Sequence, residues 1–147
     1  MQIAIFYVSR GEKTQQNTKQ AAELLAQQLG ATASPIDENS TITNKIDFLF
    51  VGSGTYNNKA DEKVINFLNT IDQKYVGQVV PFATAGGSGG ALKQIKKLSQ
   101  QRQMQVAKKG LLIRMFRHTT MTDNRKNKII KFCTKFCTKF KITNNLT

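Results

Sequence analysis

The sequence predicts an α/β protein: a single domain over residues 1–147, with a doubly wound five-stranded parallel sheet and helices on both faces. Three observations carry this. Short apolar, β-prone runs alternate with stretches of helical apolar spacing five times along the chain. A length of 147 residues with 39% hydrophobic content suits one well-covered core and leaves no linker or chain-wide repeat to divide. Three of the turns that follow strands are polar and unusually rich in glycine, hydroxyl or amide groups.

The first strand is Gln2–Val8, apolar throughout, as expected of a strand covered on both sides. A helix follows from Thr18, with Ala21, Ala22, Leu24, Leu25 and Leu29 inward; Thr18 serves as its N-cap and Gly30 as its C′ residue. Residues 31–37 make a weak strand that Pro35 sends to the edge. The next strand is Ile46–Val51, followed by a polar turn, GSGTYNNK. A helix over about Asp61–Ile71 points Val64, Ile65, Phe67 and Leu68 inward. QVVPFATA, residues 78–85, is a buried strand running into GGSGG. Residues 91–103 form a basic amphipathic helix on Leu92, Ile95 and Leu98, and a short strand lies within Val106–Arg114. The last helix, Asp123–Ile142, carries an apolar stripe of Ile129, Ile130, Phe132, Cys133, Phe136, Cys137 and Phe140, with Lys128, Lys131, Lys135 and Lys139 wet.

Composition excludes several functions. No apolar run approaches the roughly 20 residues that span a bilayer, and QIAIFYV lacks a basic lead, so a cytoplasmic protein is expected. Cys133 and Cys137 are the only cysteines and His118 the only histidine, too few for a structural zinc site, so no metal is expected. No Ser-His-Asp set or paired acids are visible, and no catalytic residue is assigned. A phosphoacceptor domain needs aspartates where the first and third strands end; Ser9 and Gly52 stand there instead.

The formal charge of +13 is unevenly spread. From Lys93 onward 15 Lys/Arg meet one acid, Asp123, whereas residues 1–92 hold 7 Lys/Arg and 8 acids. Such a basic third is either a solvated face or a surface for an acidic partner. Its lysines are scattered over helices without interleaved exposed aromatics, which argues against nucleic acid.

In a parallel α/β sheet all strand-to-helix turns emerge at the carboxyl edge, where ligands bind. Residues 7–18, YVSRGEKTQQNT, are longer than a plain connection requires. Ser9, Thr14, Thr18 and Asn17 there can hydrogen-bond a phosphate, helped by the open N–H groups of the following helix; equally, Thr18 can simply cap that helix. Tyr56, in GSGTYNN, can stack on a planar ligand or lie over a neighbouring side chain. TAGGSGG lets backbone approach a ligand closely, and it lacks the GxGxxG spacing of a dinucleotide site.

With these motifs the chain resembles, over about residues 2–116, the flavodoxin-like family of small FMN-binding electron carriers. YVSRGEKTQQNTKQAAELLA is similar to the family's phosphate loop, FLFVGSGTYNNKADEKVINFL to its second contact segment and VVPFATAGGSGGALKQI to its third. The resemblance implies strand order 2-1-3-4-5 and FMN as cofactor. It places Ser9, Arg10, Asn17 and Thr18 at the phosphate, with Gln16 where a glycine is usual and Thr14 as a substitute in another register. For the isoalloxazine it implies Ser53, Gly54, Thr55, Tyr56 and Asn57, then Thr84, Ala85, Gly86, Gly87 and Gly89. The implied function is one-electron transfer between redox partner proteins. Two alternatives stand beside it: an NAD(P)H-dependent FMN-containing reductase of quinones or similar small acceptors, and a basic binding module with an empty flavin site. Relatives that shuttle electrons are usually acidic, and this chain is basic.

Overall fold

The computed structural model describes residues 1–10, 16–115 and 120–142. Its elements are β1 (Ile3–Val8), α1 (Asn17–Leu29), β2 (Ala33–Pro35), β3 (Ile46–Tyr56), β4 (Lys59–Ala60), α2 (Glu62–Thr70), β5 (Val76–Ala85), α3 (Gly90–Gln101), β6 (Leu111–Arg114) and α4 (Asp123–Phe140), with one 3-10 turn at Gln73–Tyr75. Five strands run parallel in the order β2-β1-β3-β5-β6. That is the expected 2-1-3-4-5 order, with the two-residue β4 added as an antiparallel spur on β3.

Period-two alternation decides which helix each side chain meets. Phe48 and Phe50 of β3, with Ile5, Tyr7, Val80, Phe82 and Ile113, join α1 and α4 in one core. Leu49 and Val51, with Val79 and Ala83, join α2 and α3 in the other. Because both faces are covered, the middle stretches of the central strands, Phe48–Val51 of β3 and Val79–Ala83 of β5, are apolar at successive positions, and this made them legible as buried runs. Phe136 of α4 sets its ring edge-on to Phe48 and Phe50, at 4.9 and 5.2 Å between centroids. Cys133 and Cys137 are buried on the same stripe, as their spacing implied.

Two local expectations need correction. GSGTYNNK is not a turn: β3 continues to Tyr56 and reverses only at Asn57 and Asn58, whose φ values of 51° and 63° build a two-residue hairpin into β4. Polar and glycine residues disguised a strand that runs out past the core. Thr18 is not the N-cap either. Helix α1 begins at Asn17 after Gln16, whose side chain makes no cap hydrogen bond, and Thr18 turns inward from the first turn. Gly30 does close α1 in the left-handed region, φ 64°, with its N–H on Ala26 O.

Candidate functional site

Thr84, at the end of β5, is where the three turns meet. Its hydroxyl lies 2.8 Å from that of Thr18, in the first turn of α1, and both side chains are buried. Its carbonyl accepts from the Thr55 hydroxyl at 3.0 Å, near the end of β3. One threonine therefore joins segments that lie 66 and 29 positions away in sequence.

The first turn leaves two buried polar groups without partners among the described residues. Among the described residues, Ser9 Oγ and Asn17 Oδ1 are buried and accept or donate no hydrogen bond. An unsatisfied buried polar group costs about 1–3 kcal/mol, so each is a standing demand for a ligand atom. Rotating the Asn17 amide presents its NH2 instead of its oxygen, which suits an anion. The first-turn N–H groups of α1 also receive no cap hydrogen bond from the Gln16 side chain, and the positive end of the helix dipole lies there.

The second segment is built around a buried carboxylate. Asp61 caps α2 by accepting from Lys63 N at 2.9 Å, while its own N–H donates to Ser53 Oγ at 2.8 Å. Ser53 in turn donates to Gly54 O at 2.7 Å. Asp61 Oδ2 receives Arg10 Nε at 2.7 Å. The Arg10 guanidinium lies 3.9 Å from the centre of the Tyr56 ring, and Arg10 N–H donates to the Tyr56 hydroxyl at 3.2 Å. The phenol folds back over Gly54, where an added Cβ would sit 2.5 Å from its oxygen. Burial raises the Tyr56 pKa above its ordinary value, while the Arg10 N–H and charge pull it back part of the way.

The third segment frames the open side. A Cβ on Gly87 would meet nothing within 4 Å, so the backbone there faces free space. The Arg114 guanidinium donates to Gly87 O, and Ser88 Oγ to Asn58 Oδ1 at the hairpin tip. That tip presses on the start of α3, where a Cβ on Gly90 would stand 2.0 Å from Asn58 O.

No protein-family model matches the sequence, and no curated protein matches it either. Solved structures do match in shape. Flavodoxin 1 of Bacillus cereus, in its oxidised form, superposes with a TM-score of 0.74 at 16% identity over 100% of both chains. Flavodoxin 2 of the same organism gives 0.73 at 18% identity over 95% of this chain and 100% of its own. A flavodoxin from the domain Archaea gives 0.66 at 19% identity over 96% and 99%. The fold is flavodoxin-like.

Within this flavodoxin-like frame most residues singled out from sequence converge. Thr18 and Thr55 meet at Thr84; Ser9 follows β1 and Asn17 opens α1 next to Thr18, each with a buried polar atom; Arg10, Ser53, Gly54 and Tyr56 form the cluster around Asp61. Gln16 precedes α1, Ala85 is buried beside Thr84, and Gly89 precedes α3 with room limited by Leu112. Gly86 lies under the Met115 carbonyl. Asn57 belongs to the hairpin turn, two residues beyond the Thr55 bond. Thr14 lies outside the described residues, as does His118. Asp61 was not expected here. As an acid just before a helix it reads only as a cap, and nothing in sequence pairs it with Arg10, 51 positions away.

These residues fit a phosphate-tailed planar cofactor: an unpartnered buried hydroxyl and amide at the start of α1, an aromatic ring at Tyr56 and open glycine backbone at Gly87. Among the described residues, no three His, Cys, Asp or Glu side chains gather as metal ligands, and no helix is long and apolar enough to cross a membrane.

Proposed function

We propose that this chain is an FMN-binding member of the flavodoxin-like family that carries single electrons between protein partners in the cytoplasm. The observation that carries the reading is the pair of buried, unpartnered atoms Ser9 Oγ and Asn17 Oδ1 beside the start of α1. A phosphate dianion accepts from the Ser9 hydroxyl, from the Asn17 amide once its NH2 is rotated into the place of Oδ1, and from the helix N–H groups together. FMN, when bound, supplies reversible one-electron chemistry. The chain holds and shields it. Ser9, Asn17 and the first turn of α1 would hold the phosphate end, Tyr56, fixed by Arg10, would offer its ring, and the open backbone at Gly87 would let the cofactor approach closely. Asp61 neutralises Arg10 and keeps it against Tyr56.

Electrostatics set the expected potential. A unit positive charge about 10 Å from the flavin favours an added electron by about 0.4 kcal/mol in water-like dielectric. That is about 18 mV for a one-electron couple. With Arg114 on Gly87 O and 15 Lys/Arg after residue 92, the expected potential is less negative than that of acidic flavodoxins. Two measurements on the FMN-loaded protein test the reading: spectroelectrochemical titration and steady-state NAD(P)H oxidation with a quinone. The carrier reading expects a raised potential and almost no turnover. Rapid turnover identifies the reductase alternative instead.

A further inference from the structure

Beside β6 the sheet ends in a groove of about 810 Å³ between that edge strand and α4. Its floor is apolar, from Leu111, Leu112, Ile130 and Phe132, and its walls carry Lys109, Lys128, Lys131 and Lys135. Among the described residues no acidic side chain lines it.

An edge strand ordinarily invites another strand to pair. Here the carbonyl acceptors of that edge are already engaged. Met115 N–H donates to Ala85 O, so by the alternation of a parallel ladder the backbone groups of Leu112 and Arg114 face outward. Both of those carbonyls are already taken by α4: Leu112 O by Lys128 Nζ at 2.5 Å and Arg114 O by Arg125 Nε at 3.0 Å. The groove is therefore shaped to receive side chains from a partner, not an added strand. Base stacking is also disfavoured, because the half-buried Phe132 ring already stacks on Phe136 at 6.4 Å and 15°. What remains is an apolar floor between ammonium groups, complementary to an apolar side chain flanked by carboxylates.

We infer that the β6–α4 groove docks an acidic protein surface that presents an apolar side chain between carboxylates. Arg114 links the strand beside this groove to Gly87 O, so a partner held there lies next to the third turn of the candidate site. The inference stands whether or not FMN occupies that site.

The test uses the full chain and a fluorescein-labelled peptide of repeated Glu-Glu-Leu, followed by anisotropy at low and high NaCl, with amide NMR shifts locating the contact. A labelled oligothymidylate is run in parallel. The expected result is peptide binding that weakens with salt, shifts centred on residues 109–112 and 124–135, and a loss of about tenfold or more in Lys131→Glu/Lys135→Glu. Lys96→Glu/Lys97→Glu on α3 changes net charge equally and should leave affinity within about twofold. Ile130→Asn keeps the charges and should weaken binding severalfold by removing part of the floor. Equal losses in the two charge reversals would mean diffuse attraction and overturn the inference. So would an absence of peptide binding at low salt, or oligothymidylate binding in the groove more tightly than the peptide.

Discussion

Substituting Thr84 by valine removes one hydroxyl and keeps the shape, so it isolates the bond that joins two turns of the site. Thr18 and Thr84 are 2% and 6% exposed, and their hydroxyl oxygens are 2.8 Å apart. In Thr84→Val the Thr18 hydroxyl remains buried and loses this partner, which costs about 1–3 kcal/mol. Thr18→Val strands the Thr84 hydroxyl by the same argument. The double variant removes both groups and leaves two methyls in contact, a change that is close to neutral when both partners go together. The two single effects must therefore fail to add, with a coupling of about 1–2 kcal/mol. Urea unfolding of the four proteins measures this, provided the slopes agree, so that midpoints report stability and not a changed unfolded state. If both single variants are neutral, or the double loses the sum of the two, Thr18 and Thr84 do not meet as described. The junction would then have to be redrawn.

Other consequences follow from particular contacts. Gly90→Ala drives a Cβ to 2.0 Å from Asn58 O, a backbone atom that cannot swing aside. Unfolding should come about 1–3 kcal/mol earlier, and an unchanged midpoint would show that the hairpin tip is not seated on α3. Burial raises the Cys133 thiol from 9.0 to about 12, with Cys137 adding to the shift. The raised value means stability is intact below pH 9.0 and falls between there and about 12, since the unfolded thiol loses its proton first. The slope is about 1.4 kcal/mol per pH unit. Cys133→Ala should remove that component of the alkaline slope in denaturant titrations at stepped pH; a slope identical to the parent's would contradict it.

Much of the fold was legible because a doubly covered sheet writes its strands as apolar runs. Phe48, Leu49, Phe50 and Val51 alternate between the two cores, as a strand covered on both faces requires. The turns were legible as a set, since the topology sends every strand end to one edge. Local geometry was harder. The run from Gly52 to Tyr56 has the composition of a loop, yet β1 and β5 pair with its first residues and carry it outward as strand. Thr18 has the preferred chemistry of a cap, but its hydroxyl finds Thr84, a choice made by tertiary packing. The Asp61–Arg10–Tyr56 cluster spans 51 positions, and no local pattern encodes it. The uneven charge was plain from the start, whereas the groove it lines needed the pairing of β6 with α4 to become visible.

Titration of the purified, folded protein into free FMN, followed by flavin fluorescence, tests the account most directly. The account predicts quenching that saturates at one FMN per chain with sub-micromolar affinity, and marked weakening in Ser9→Ala/Asn17→Ala with the thermal stability of the unloaded protein equal to the parent's or higher, since two orphaned polar groups are removed. Fluorescence left unaltered by micromolar protein that is demonstrably folded would contradict it.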